Sequence, residues 1–255
     1  MEPKALVLTG YGINTDYETQ LGLELAGAAA ERVHLNDLLA AKGRLNRYQI
    51  LALPGGFSFG DDIAAGKVLA SKLKLNLMDE LLEFIARGNL IIGICNGFQV
   101  LVKMGLLPGL DGQRQLTTLT YNDSGRFEDR WVYLKVNQNS RCVFTRGLKA
   151  LYLPIRNAEG KFVASPEILE RLEVDGQIVL RYVDEQGEEA GYPWNPSGSM
   201  KNIAGICDPT GRVFGLMPHP EAFLFRVNHP RWSREALPWE GQGLAIFKSA
   251  VEYFG

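Results

Sequence analysis

The chain has 255 residues, of which 46% are hydrophobic and 22% charged, with a net charge of −2. That suits one large α/β domain with a sizeable core, and the near-neutral balance gives no electrostatic case for nucleic acid or an anionic membrane. Three cysteines, Cys95, Cys142 and Cys207, have no paired spacing, which argues for a reducing compartment and against a disulfide framework or a metal site.

The apolar run after Met1-Glu-Pro-Lys4 is too short for a signal peptide, and no window reaches membrane-spanning length. A cytoplasmic protein is expected. Lys4–Leu8 reads as a first strand, with Thr9–Asn14 as the loop at its carboxyl end. Thr15 is placed to cap a helix through about Ala30, and Glu18 would complete a capping box. Leu21, Leu25, Ala28 and Ala29 form the predicted apolar stripe of that helix. Val33–Leu35 is a second strand carrying His34 in a structural role, and Tyr48–Leu53 is a third. Strands alternating with helices at this spacing predict a doubly wound, mostly parallel sheet.

The third strand runs into Pro54-Gly-Gly-Phe-Ser-Phe-Gly-Asp61, a tight glycine-rich loop where α/β proteins place ligands. Helices are predicted over Asp62–Leu73 and Leu77–Arg87. Then Asn89–Ile94, an apolar strand, turns at Cys95 into helical spacing marked by Phe98, Val102 and Leu106. A strand-to-helix corner with Gly93 and Gly97 around a Cys is a nucleophile elbow, and the following helix turns its N-terminus, the end that suits an anion, toward the sulfur. A lone buried cysteine is more commonly inert filler, so the reading needs a base, an orienter and an oxyanion site elsewhere. The glycine loop and the elbow, ending adjacent strands, would bring a glycine amide and the Asn96 amide to one point as oxyanion donors.

Beyond Pro108-Gly109 the texture becomes short and alternating: Gln115–Tyr121, Arg130–Val136, Leu151–Pro154 and Gln177–Val183 read as strands, with Pro166–Leu172 a helix. Residues 112–210 are expected to form an additional sheet layer within a single domain spanning 1–255. Near the end, Val213–Met217 is a strand and His219 follows it, held extended by Pro220. Residues two apart face the same way in an extended segment, so the Glu221 carboxylate can orient the His219 ring. Phe223–Gly243, with Trp232 and Trp239, is read as a packed tail rather than a docking surface.

Taken together, Pro54–Asp61, Gly93-Ile-Cys-Asn-Gly-Phe-Gln-Val-Leu101 and Met217-Pro-His-Pro-Glu221 resemble the class I glutamine amidotransferases, and more narrowly the glutaminase components of phosphoribosylformylglycinamidine synthases. Asn122–Phe127, Tyr192–Gly198 and Gly105–Gly109 are weaker echoes. The resemblance implies a flavodoxin-like fold with a small additional antiparallel sheet, and a Cys95–His219–Glu221 triad that hydrolyses L-glutamine through a γ-glutamyl thioester. It also implies Gly56 and Asn96 as oxyanion donors, and Gly55, Phe57, Gln99, Asn122 and Ser124 as residues that hold the glutamine. No cofactor is implied in this chain: ATP and Mg would act on a synthetase subunit that receives the ammonia, alongside a small accessory subunit. No Gly-x-x-x-x-Gly-Lys phosphate loop occurs here. One departure stands out: Pro154-Ile-Arg-Asn-Ala-Glu-Gly160 replaces the family's Pro-x-x-His-Gly-Glu-Gly. It lies outside the triad, so it bears on coupling to the synthetase, or on the identity of the acceptor, rather than on hydrolysis. The competing readings are a stand-alone cysteine hydrolase of γ-glutamyl substrates, an amidotransferase serving another acceptor, and a non-catalytic protein that keeps the fold.

Overall fold

The computed structural model describes residues 2–255. Strand β1 (Lys4–Thr9) leads to helix α1 (Asp16–Leu25), β2 (Ala29–His34), α2 (Leu35–Ala40) and β3 (Ile50–Leu53). A long α3 (Lys67–Ala86) precedes β4 (Leu90–Ile94) and α4 (Asn96–Met104). The second half adds β5 (Thr117–Thr120), β6 (Glu128–Val136), β7 (Ala150–Asn157), β8 (Lys161–Ala164), α5 (Pro166–Val174), β9 (Ile178–Val183), β10 (Ile203–Cys207) and β11 (Val213–Leu216), and α6 (Leu244–Glu252) closes the chain. Among the described residues no helix is long and apolar enough to cross a membrane.

Nine strands form one sheet in the order β2-β1-β3-β4-β11-β10-β9-β6-β7, and β5 with β8 makes a separate antiparallel ribbon. The β2–β11 part is parallel throughout; β10, β9, β6 and β7 continue it antiparallel. Most of 112–210 therefore extends the main sheet edge to edge, and only β5–β8 stands apart from it. β3 and β4 are buried at every residue, as a sheet covered by helices on both faces requires. Register matters to function: Leu53 pairs with Gly93 and Leu216 with Ile94, so β3, β4 and β11 end side by side.

Several local expectations give way to packing. The two helices expected over 62–87 are one, because the buried stripe Leu69-Leu73-Leu77-Leu81-Phe84 runs through without a break. Helix α1 ends at Leu25, and Ala29 and Ala30 belong to β2. Its inner face is Thr19, Gly22 and Leu23 instead of Leu21 and Leu25, which are 40% exposed, because α6 lies so close that a Cβ on Gly22 would meet the Phe247 ring at 2.7 Å. Thr15 makes no cap; its hydroxyl is used by the glycine loop.

Candidate active site

Cys95 sits between β4 and α4 with φ +50° and ψ −103°. A non-glycine residue there is strained by about 1–3 kcal/mol and persists only where its surroundings fix it. Two backbone bonds do so: Cys95 N–H donates to Leu216 O (2.8 Å), and Cys95 O accepts from Gln99 N–H (3.1 Å) as the first turn of α4. Gly97 lets the elbow press against β3, since a Cβ there would lie 1.9 Å from Leu53 O. Gly97→Ala should therefore cost at least about 3 kcal/mol or abolish folding, above the usual overpacking penalty because rigid backbone is the obstacle. Urea unfolding with wild-type stability would refute this.

His219 is 3% exposed and its N–H donates to Pro154 O of β7 (2.8 Å). The residue is extended (φ −106°, ψ 92°), but Pro220 then opens a 3-10 turn over Pro220–Ala222. Glu221 thus lies on a turn, not on the expected extended segment, and its carboxylate still reaches the ring: Nδ1 and Oε1 are 2.5 Å apart. Burial pushes the imidazole toward neutrality, but Glu221 and the Cys95 sulfur outweigh it and raise His219 to about 10. Nε2 makes no hydrogen bond within the protein. The sulfur itself lies 3.8 Å from Arg156 O, two residues along β7 from the carbonyl that holds His219.

Gly55 is a spacer for the His219 ring. A Cβ there would meet His219 Cε1 at 2.8 Å, and its N–H is taken by Thr15 Oγ1 (2.9 Å). Gly56 pairs with Ile13 across the loop from β1, through Asn14 N–H to Gly55 O and Phe57 N–H to Gly12 O. In such a pair the middle residue turns its own N–H away from its partner, which leaves the Gly56 amide facing out of the loop. The Asn96 amide, at the first position of α4, has no intrahelical acceptor. The Asn96 side chain ties three segments together: Oδ1 accepts from Ser58 N–H (3.2 Å), while Nδ2 donates to Asp61 Oδ1 (2.9 Å) and Gln99 Oε1 (3.0 Å).

The expected glutamine-holding side chains are placed differently. Gln99 donates to Glu159 O (2.7 Å) and accepts from Asn96, so both ends of its amide are engaged by the protein. Asn122 donates to Asn157 O (2.9 Å) and Arg126 O (3.1 Å) and accepts from Gly160 N–H (2.9 Å). These two fix the 157–160 turn rather than point into a cleft. Ser124 accepts from Arg126 N–H (3.4 Å) in a tight turn, and Phe57 is 45% exposed beside Phe127, ring centroids 6.4 Å apart. The segment that carries the departure at Asn157 and Ala158 is not remote: its Pro154 and Arg156 line the site directly, which its place outside the triad does not foretell.

A family model for the CobB/CobQ-like glutamine amidotransferase domain matches residues 2–254. The chain is 51% identical over 251 residues to a phosphoribosylformylglycinamidine synthase subunit PurQ of Dehalococcoides mccartyi, covering 98% of this chain and 97% of that one. A subunit of the same name from Methanococcus maripaludis is 46% identical, with 99% and 97% covered. The chain belongs to the glutamine amidotransferase family. Among solved structures it superposes on the PurLQS structure from Thermotoga maritima with a TM-score of 0.75 at 32% identity, both chains covered in full.

For an amidotransferase the arrangement is chemically coherent: a sulfur at a strained corner, a buried ring and carboxylate beside it, and two backbone amides free to face a reacting oxygen. Four contributors escape the sequence reading: Thr15, the Pro154 carbonyl, Asp61 and Arg156. Burial pushes the Asp61 carboxyl up, against hydrogen bonds from Gly66 N–H and the Asn96 amide. Asp61 ends the glycine-rich motif, and its position there was the one available signal. His229 packs among Trp131, Tyr152 and Phe223 as part of the tail, and Cys142 and Cys207 are buried in the core.

Proposed function

We propose that the chain is the glutaminase subunit of a phosphoribosylformylglycinamidine synthase, hydrolysing L-glutamine to glutamate and passing the ammonia to a synthetase subunit. The observation that carries it is the buried His219–Glu221 pair, 2.5 Å apart, with the ring held charged beside the Cys95 sulfur. The sulfur attacks the side-chain amide carbon, and the developing oxyanion meets the Gly56 and Asn96 N–H groups. His219 hands its proton to the departing nitrogen, ammonia leaves, and a γ-glutamyl thioester remains on Cys95. His219 then takes a proton from water as it attacks the thioester, glutamate departs, and the starting pair is restored. Each oxyanion donor is worth about 3–4 kcal/mol by analogy with other acyl-transfer sites.

Acceptor chemistry, with ATP and Mg, belongs to the synthetase on this reading. A cytoplasmic location fits three unpaired thiols. The test is ammonia release from glutamine by the chain alone and in complex with the synthetase. An electrophilic glutamine analogue should label one site, Cys95, and block that release. Labelling elsewhere, or release that continues after Cys95 is modified, would defeat the proposal.

A further inference from the structure

The free edge of β7, last strand of the large sheet, forms one wall of the site. Tyr152 N–H donates to Gln242 Oε1 (2.6 Å), Pro154 O accepts from His219 N–H (2.8 Å), and Arg156 O faces the Cys95 sulfur at 3.8 Å. Alternate residues along this edge thus turn their backbone polar groups outward, Tyr152 toward the 223–243 tail and Pro154 and Arg156 toward His219 and Cys95. The Arg156 side chain leaves the same edge and reaches toward Glu221, with Nη2 3.8 Å from Oε1. That separation is too long for a hydrogen bond, and the oxygen already serves His219 Nδ1. Arg156 Nε is buried without an acceptor in the protein, while 41% of the side chain is open to solvent. A guanidinium is therefore held at the site with its donors largely unspent.

A planar fork of N–H donors matches a carboxylate in two-point geometry, which is why arginine recurs where carboxylates are read. On the glutaminase proposal, on which this inference rests, a glutamine attached at Cys95 carries its α-carboxylate one side-chain length from the reacting carbon. We propose that Arg156 reads that α-carboxylate and so selects free glutamine over γ-amides that lack it. Glu221 steers the fork by charge without occupying it, and the exposed part of the side chain gives the substrate access. Arg156 is then a specificity-determining residue, one position before the Asn157-Ala158 departure from the family's usual pattern.

The experiment compares glutamine with its α-carboxamide analogue, L-glutaminamide, using wild type, Arg156→Gln and Arg156→Lys in complex with the synthetase. Arg156→Gln should raise KM for glutamine about 30-fold, ~2 kcal/mol at tenfold per 1.4 kcal/mol, with kcat within about twofold. KM for the carboxamide should be the same in all three proteins, and Arg156→Lys should recover part of the loss. A fall in kcat at unchanged KM, or a displaced pH profile, would mean that Arg156 acts through Glu221 and would overturn the proposal. If wild type releases no ammonia from glutamine, the glutaminase reading itself fails; if it does and Arg156→Gln keeps its KM, only this inference fails.

Discussion

Cys95→Ala in the assembled synthase should abolish glutamine-dependent product formation, by at least about 10⁴-fold, and leave ammonia-dependent formation near the wild-type rate. The magnitude follows from removing the atom that forms the covalent intermediate: loss of a nucleophile that works as a unit with its base has cost about 10⁶-fold in another hydrolase. The substitution is mild for the fold. Cys95 is 6% exposed, and alanine removes only a sulfur from a position whose backbone bonds to Leu216 and Gln99 remain. Alanine must still adopt the positive φ, so circular dichroism and melting should accompany the kinetics. Parallel loss of both activities in a folded complex would count against a separate ammonia-producing site.

Glu221→Gln keeps the shape of the orienter and removes its charge, and kcat/KM should drop by about 10²–10⁴-fold. The direction of the pH effect is fixed by electrostatics. Glu221 is the leading cause that raises His219, so its neutralisation lowers the imidazole pKa, and the proton needed by the departing ammonia is lost at lower pH. The alkaline limb of the rate profile should move toward acid. Stability carries the same signature. A histidine raised from 6.5 unfolded to about 10 folded adds stability that is fully present below pH 6.5 and lost as pH rises through about 10. That share of the difference between wild type and variant should shrink across this window in urea titrations at several pH values. A rate profile whose alkaline limb stays in place would show that the carboxylate does not set the ring's charge.

What could be read from the sequence is what short-range geometry dictates. The elbow is marked by Gly97, because only glycine fits against Leu53 O, and the base by Pro218 and Pro220 on either side of His219. The parallel half of the sheet follows from strand–helix alternation, and β4 and β11 lie where the apolar runs place them. Other features depend on contacts between distant segments. Thr15 has the local signature of a helix cap, yet a loop forty residues away claims its hydroxyl. Gln99 and Asn122 are implied as glutamine-holding by the family resemblance, and no local pattern shows that their amides brace the 157–160 turn. Strand β10 and helix α6 were not foreseen, since each is recognisable only by what it packs on: β11 and β9 for one, Gly22 of α1 for the other. The reach of Arg156 toward Glu221 joins residues on two distant segments, which no local pattern encodes.

The wall supplied by β7 has a bearing on when the protein can begin to work. The sulfur at residue 95 is made before this wall at 150–157, and the His219 ring that the wall holds is made after both. A chain made only as far as α4 therefore owns a sulfur but no chamber around it. Glutamine is safe from premature breakdown until the wall and the ring it holds have both been made.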